Sequence, residues 1–223
     1  MEQEKYTFID VCQQDFDGIE IPIIQRDYAQ GREKEEKKRN RFLEALLRAV
    51  NYDKGITLDF IYGSVIDKKL VPLDGQQRLT TLFLLHWYAA KRENIPAEQW
   101  EVLKKFSYAT RPSARRFCEQ LLTFVPNFNV KKHLSEQICN EAWFPMAWND
   151  DPTVEGMLRM LDAIHHTFAG TTRLWEALTE DRKITFYFEK LEDMNITDDI
   201  YIKMNSRGKP LTDFEHFKAE FTE

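Results

Sequence analysis

KLVPLDGQQRLTTLFLL, residues 69–85, decides how this chain folds. Leu70, Val71 and Leu73 make an apolar strand that breaks at Asp74 and Gly75. Gln76, Gln77 and Arg78 then open a helical run that stays almost wholly apolar to Ala90. Polar side chains and free backbone N–H groups are thereby gathered where a strand hands over to a helix. The first amides of a helix lack internal partners and its dipole favours negative charge, so such a junction suits an anion. Gly75 permits the positive φ or close backbone approach that the turn needs. Arg78 offers a fork that matches phosphate oxygens, the glutamines can donate or accept, and Asp74 can hold a divalent cation or orient water. The other reading of the same residues is a plain strand–helix junction, with Asp74 capping the helix and Arg78 in a salt bridge.

Outward from that stretch, residues 1–93 read as one mixed unit. Residues 6–12 are a strand or a short helix, and Glu20 to Ile24 form an extended segment that Pro22 assigns to a sheet edge or a strand start. A charged stretch, residues 32–41, leads into a helix with Phe42, Leu43, Leu46, Leu47 and Val50 at helical spacing. Its Glu33–Lys37 and Glu35–Arg39 spacing predicts an exposed, self-paired face. Residues 58–66 and 70–73 read as two strands about a Lys68-Lys69 turn. Residues 94–182 read as a helical subdomain. Pro112 stands in the first turn of one helix, and Asp151-Pro152 starts another whose stripe runs Val154, Met157, Leu158, Leu161, Ile164, Phe168. Residues 183–223 bring a strand (184–188) and further helices back to the first unit. The fold class expected is α+β, a small mixed core with a large helical insertion.

The composition narrows the function. The 223 residues carry 31 Lys plus Arg against 37 Asp plus Glu, a net charge of −6, so a bulk polyanion binder is excluded and any nucleic-acid contact needs a local basic face. The longest apolar run is too short to span a bilayer, so no membrane partner is expected. Cys12, Cys118 and Cys139 have neither zinc spacing nor an even disulfide count, which points to a reducing cytoplasm. Phosphate-loop and serine-hydrolase motifs are both missing. His86, inside the apolar helix, reads as a satisfied core residue. Thr212 and Glu215 form a capping box for a helix that stops at Glu223, as expected of the N-terminal domain of a longer protein.

Three further clusters accompany the turn. Gln25, Arg26, Asp27 and Tyr28 end the first extended segment; if that strand neighbours the one ending at Leu73, both clusters share a sheet end, where α/β ligand sites gather. Asn205, Ser206, Arg207 and Gly208 combine an amide, a cation and a helix-ending glycine. Arg111, Arg115 and Arg116 either grip phosphates across a cleft or form a solvated helix face.

Taken together, DGQQRLTTL (74–82), IPIIQRDY (21–28), YATRPSARRFC (108–118), WNDDPTVEGML (148–158) and NSRGKPLTDFEHFK (205–218) closely resemble the N-terminal domain of GmrSD-type restriction proteins. That family was long catalogued as a domain of unknown function, and its first unit is similar to the ParB/sulfiredoxin fold. The resemblance implies a nucleotide-binding and hydrolysing (NTPase) domain of a bacterial anti-phage restriction protein that acts on modified DNA. It implies Asp74, Gln76, Gln77 and Arg78 as the hydrolysis signature. Gln25, Arg26, Gly75, Asn205 and Arg207 would be nucleotide contacts, and Arg111, Arg115, Arg116 and Lys218 phosphate or DNA contacts. A nucleoside triphosphate with Mg²⁺, the latter on Asp74, is the implied cofactor. The implied partners are modified DNA, through the full-length protein, and a C-terminal nuclease domain of the same or a partner chain; a homodimer stays open. The alternative is a non-catalytic module of the same fold that senses DNA or a partner. No HNH-like cluster precedes Glu223, so this chain alone is not expected to cut DNA.

Overall fold

A computed structural model describes residues 4–22, 28–52, 54–109, 111–129 and 132–191. The chain runs β1 (Lys5–Tyr6), α1 (Phe8–Cys12), β2 (Gly18–Ile21), α2 (Glu36–Asn51), β3 (Ile56–Ile66), β4 (Lys69–Asp74), α3 (Gln76–Arg92), α4 (Ala97–Trp100) and β5 (Phe106–Tyr108). It continues α5 (Pro112–Thr123), α6 (Leu134–Cys139), α7 (Pro152–Phe168), α8 (Leu174–Thr179) and β6 (Ile184–Lys190). Short 3₁₀ turns at Ala29–Gly31 and Glu33–Glu35 precede α2. The fold is α+β, as the alternation of patterns predicts.

Among the described residues the strands form one sheet in the order β1-β6-β3-β4-β2-β5. β3 and β4 are an antiparallel hairpin closed by Asp67 and Lys68, both at positive φ, one residue earlier than the sequence suggests. β2 runs parallel to both β4 and β5, so Ile21, Asp74 and Tyr108 end strands on the same side of the sheet. β2 is therefore an interior strand. Pro22 does not mark an edge; it stands just past Ile21, because a strand paired on both sides needs every N–H that proline lacks. β5 arises within the stretch expected to be helical. Three residues are too few to show an alternating pattern, yet Phe106 and Tyr108 point into the core and Phe106 stacks on Phe83 at 4.6 Å.

α3 is the spine of the molecule. Every residue from Leu79 to Ala90 is buried, as a helix apolar on all sides must be. Each of its fully buried Leu or Phe side chains contributes about 2 kcal/mol. α7 packs on it with Val154, Met157, Leu161, Ile164 and Phe168 at 0% exposure, and one continuous apolar cluster joins sheet and helices. Asp151 caps α7 by accepting from the Thr153 amide at 2.7 Å, with Pro152 in the first turn.

Two charged or polar residues depart from expectation. Arg39 does not lie on a solvated face: it is 8% exposed, because it stands four residues before Leu43 on the face of α2 that also buries Leu46 and Ala49. Lys38 pairs with Glu35 instead, at 2.7 Å. His86 is buried but only half satisfied. Its Nδ1 meets the Leu82 carbonyl at 2.7 Å, while Nε2 has no partner, since Phe8 and Trp175 face the ring. Burial lowers its pKa to about 4.

Candidate functional site

The turn from β4 into α3 depends on Gly75. Its φ is +87°, and a Cβ there would sit 2.6 Å from Ile61 Cγ1, so both backbone conformation and space demand glycine. No side chain caps the first amides of α3. The expected Asp74 cap is displaced by one residue: Oδ1 accepts from the Gly75 N–H at 2.7 Å, ahead of the helix, because the left-handed Gly75 turns the carboxylate back onto its own loop. The Asp74 side chain is 46% exposed and stands 3.5 Å from Arg78.

Arg78 is turned toward the sheet. Tyr62 pairs with Asp74, the last residue of β4, so Phe60 lies beyond the end of that strand. The Arg78 Nη2 donates to the Phe60 carbonyl at 2.7 Å, while Nη1 is buried without a partner. Its side chain is 16% exposed. Gln76 is buried as well. Its Nε2 donates to the Pro72 carbonyl at 2.6 Å, and its Oε1 has no partner.

The loop after β2 crosses over this helix start. Gln30 N–H donates to Gln77 Oε1 at 3.2 Å, and Thr81 donates to Gln30 Oε1 at 2.7 Å. The Tyr28 phenol donates to Thr81 Oγ1 at 2.5 Å. One residue earlier on the helix, the Tyr108 hydroxyl joins Thr80 at 2.9 Å, and Thr80 donates to the Gln76 carbonyl at 3.0 Å. Burial pushes both phenols well up, so each stays a neutral donor. The loop is held from outside by a glycine crossing: a Cβ on Gly31 would lie 2.1 Å from the Gly156 carbonyl oxygen in α7. Tyr28, Gln30, Thr80, Thr81 and Tyr108 thus surround the predicted turn. The signal for them was the pair of threonines inside an apolar helix and the AQG after Tyr28.

The basic group of α5 divides. Arg115 Nε donates to the Tyr108 carbonyl at 2.8 Å and its Nη2 to Ala109, with Glu20 3.7 Å away. Arg111 donates to Thr153 at 2.8 Å and lies 3.7 Å from Asp151. Arg111 thus ties the start of α5 to α7 and Arg115 ties it to the end of β5, while the Arg115 side chain stays 42% exposed and Arg116 is exposed. Gln25, Arg26, Asn205, Arg207 and Lys218 fall outside the described residues, as do Thr212 and Glu215 of the expected capping box. Among the described residues no three His, Cys, Asp or Glu side chains gather as a metal site, and no helix is long and apolar enough to cross a membrane.

Comparison with curated proteins found no match. Residues 8–222, which carry the 74–78 turn and every polar partner gathered around it, match the family model of the GmrSD restriction endonuclease N-terminal domain; the chain belongs to that family, and so to restriction-endonuclease-related phage defence.

Proposed function

We propose that this chain is the nucleotide-binding and hydrolysing domain of an anti-phage restriction protein that acts on modified DNA. The observation that carries the reading is the junction at Gly75. A helix start with no side-chain cap stands beside a half-exposed carboxylate, under a loop that positions Gln77. Uncapped amides and a helix dipole bind phosphate oxygens. The donor set fits a Mg²⁺ that arrives on the triphosphate: one carboxylate, Asp74, is what such an ion takes from a protein when phosphates and water fill its other positions. When bound, the ion would neutralise charge developing on the phosphates. The protein's own contribution is positional. Gly75 aims the amides, Asp74 would hold the ion and supply its one protein ligand, Gln77 would stand beside the phosphates, and Gln76 braces the turn through the Pro72 carbonyl. Electrostatic preorganisation of this kind is the main catalytic term in phosphoryl transfer.

A thermal-shift panel of the four ribonucleoside triphosphates, with and without Mg²⁺, tests the reading. A bound nucleotide raises the midpoint, and Asp74→Ala removes the Mg²⁺-dependent part. Phosphate release by the full-length protein then tests turnover. An unchanged midpoint with all four nucleotides sinks the proposal. One observation favours the second reading, a sensing module without turnover: Arg78 is held by the Phe60 carbonyl. Nucleotide binding without phosphate release, or salt-dependent DNA binding by this chain without nucleotide, would select it.

A further inference from the structure

Among the described residues, Arg39 is a buried cation with no ionic partner. It lies in the first turn of α2, is 8% exposed, and its Nε is buried with no hydrogen-bond partner. Its guanidinium makes one hydrogen bond, from Nη1 to the Arg32 carbonyl at 3.2 Å, and among the described residues no carboxylate pairs with it. The buried Nε without a partner carries an uncompensated desolvation cost, because Arg does not shed its proton. Charges buried in this way are paired or meet a ligand.

Its position says which ligand. Arg32 is two residues past Gln30, whose amide and side chain hold Gln77 and Thr81 at the start of α3. α2 packs directly against the Ala29–Gly31 turn. The field of Arg39 also reaches the Tyr28 phenol, which sits on Thr81; it pulls that group down against the dominant effect of burial. Two features that each favour an anion, an uncapped helix start and an unpaired buried cation, therefore flank one loop. Arg78, the cation singled out by sequence, is engaged by the Phe60 carbonyl.

We infer that Arg39 is the phosphate-binding cation of this site, taking a phosphate of the nucleoside triphosphate beneath the 28–31 loop. This rests on the nucleotide reading above and assigns the charge that the reading needs.

The test uses the full 223-residue chain, wild type and Arg39→Met, with Mg²⁺–ATP, Mg²⁺–GTP, inorganic tripolyphosphate and a short DNA duplex as probes. Melting midpoint and calorimetric affinity are read for each. The expected result has two parts. Ligand-free Arg39→Met melts at or above the wild-type temperature, since an uncompensated charge has gone. Its affinity for triphosphate and tripolyphosphate falls about tenfold or more, as loss of a charge-assisted pair requires. A lower melting point with unchanged affinity means Arg39 is structural and overturns the inference, leaving the nucleotide reading intact. Arg39-dependent binding of tripolyphosphate but of no nucleotide supports the cation site and removes the nucleotide reading. No binding of any phosphate probe overturns both, as does Arg39-dependent binding of the duplex alone. If Arg39→Met does not fold, Arg39→Lys decides: retained charge with weakened phosphate binding supports the inference, and wild-type affinity overturns it.

Discussion

The two ends of α3 make opposite use of charge. At its C-terminal end opens a cleft of about 960 Å³, lined among others by Lys91, Arg92, Glu93, Arg173, Trp175 and Glu176. These charged side chains have hydrogen-bond partners, and one couple is an ion pair. Lys91 donates to the Leu122 carbonyl at 2.7 Å, Arg92 to Ala169 at 2.6 Å, and Arg173 pairs with Glu176. Glu93 caps α8 through the Leu174 and Trp175 amides at 2.6 and 3.0 Å. At the N-terminal end, Gln76 Oε1, Arg78 Nη1 and the nearby Arg39 Nε are buried without partners. Native proteins rarely leave such atoms unpaired, and three of the four found among the described residues lie at this end, the fourth being His86 Nε2 midway along α3.

The comparison breaks first at Gly31. A methyl group there meets backbone, with no flexible side chain to move aside. Gly31→Ala should cost about 4 kcal/mol by urea denaturation and abolish nucleotide-induced stabilisation. A cost below 1 kcal/mol would show that the loop is not pressed onto α7.

His86, midway along the helix, tests whether burial is as complete as drawn. Its ordinary value is 6.5 and its folded value about 4, so the unfolded chain takes a proton that the folded one refuses. Above pH 6.5 the ring is neutral in both states and contributes no pH dependence. Between pH 6.5 and pH 4 stability should fall by about 3 kcal/mol on this account alone, and His86→Leu should remove that component. Denaturation midpoints of the two proteins at pH 7 and pH 4.5 make the check; parallel losses would refute it.

Arg78→Ala separates scaffold from chemistry. Loss of the hydrogen bond to the Phe60 carbonyl should lower stability by about 2 kcal/mol even without ligand. If stability is unchanged and only binding falls, Arg78 acts on the ligand after all. At the far end, Arg173→Ala removes an exposed pair and should leave both melting and nucleotide binding where they were.

How much of this was legible in the sequence follows from the range of each signal. The α3 spine, the hairpin before it and the α7 stripe were readable because periodicity and caps are local. The β4–α3 turn was readable because Gly75 and its neighbours are consecutive. What escaped were partners distant in the chain: Gln30 on Thr81, Tyr108 on Thr80, Gly31 against Gly156. No local pattern encodes such meetings. The burial of Arg39 has a different cause: it shares the buried face of α2 with Leu43 and Leu46, and its i,i+4 spacing to Glu35 does not report which face that is. Arg78 was found at its place but not with its partner, because the end of β4 frees a carbonyl that only pairing reveals.

The strand order carries a consequence for synthesis. β3 lies between β4, which follows it directly, and β6, which begins at Ile184; β1 at Lys5–Tyr6 can only pair with β6. On the ribosome, the hairpin and α3 can form early, but β3 keeps one open flank until Lys190 has emerged. Pairings of such long sequence separation are slow and leave an edge exposed while they wait. A nascent chain halted before residue 184 should therefore expose that β3 edge and be the species chaperones hold, whereas one extended past 190 closes its sheet.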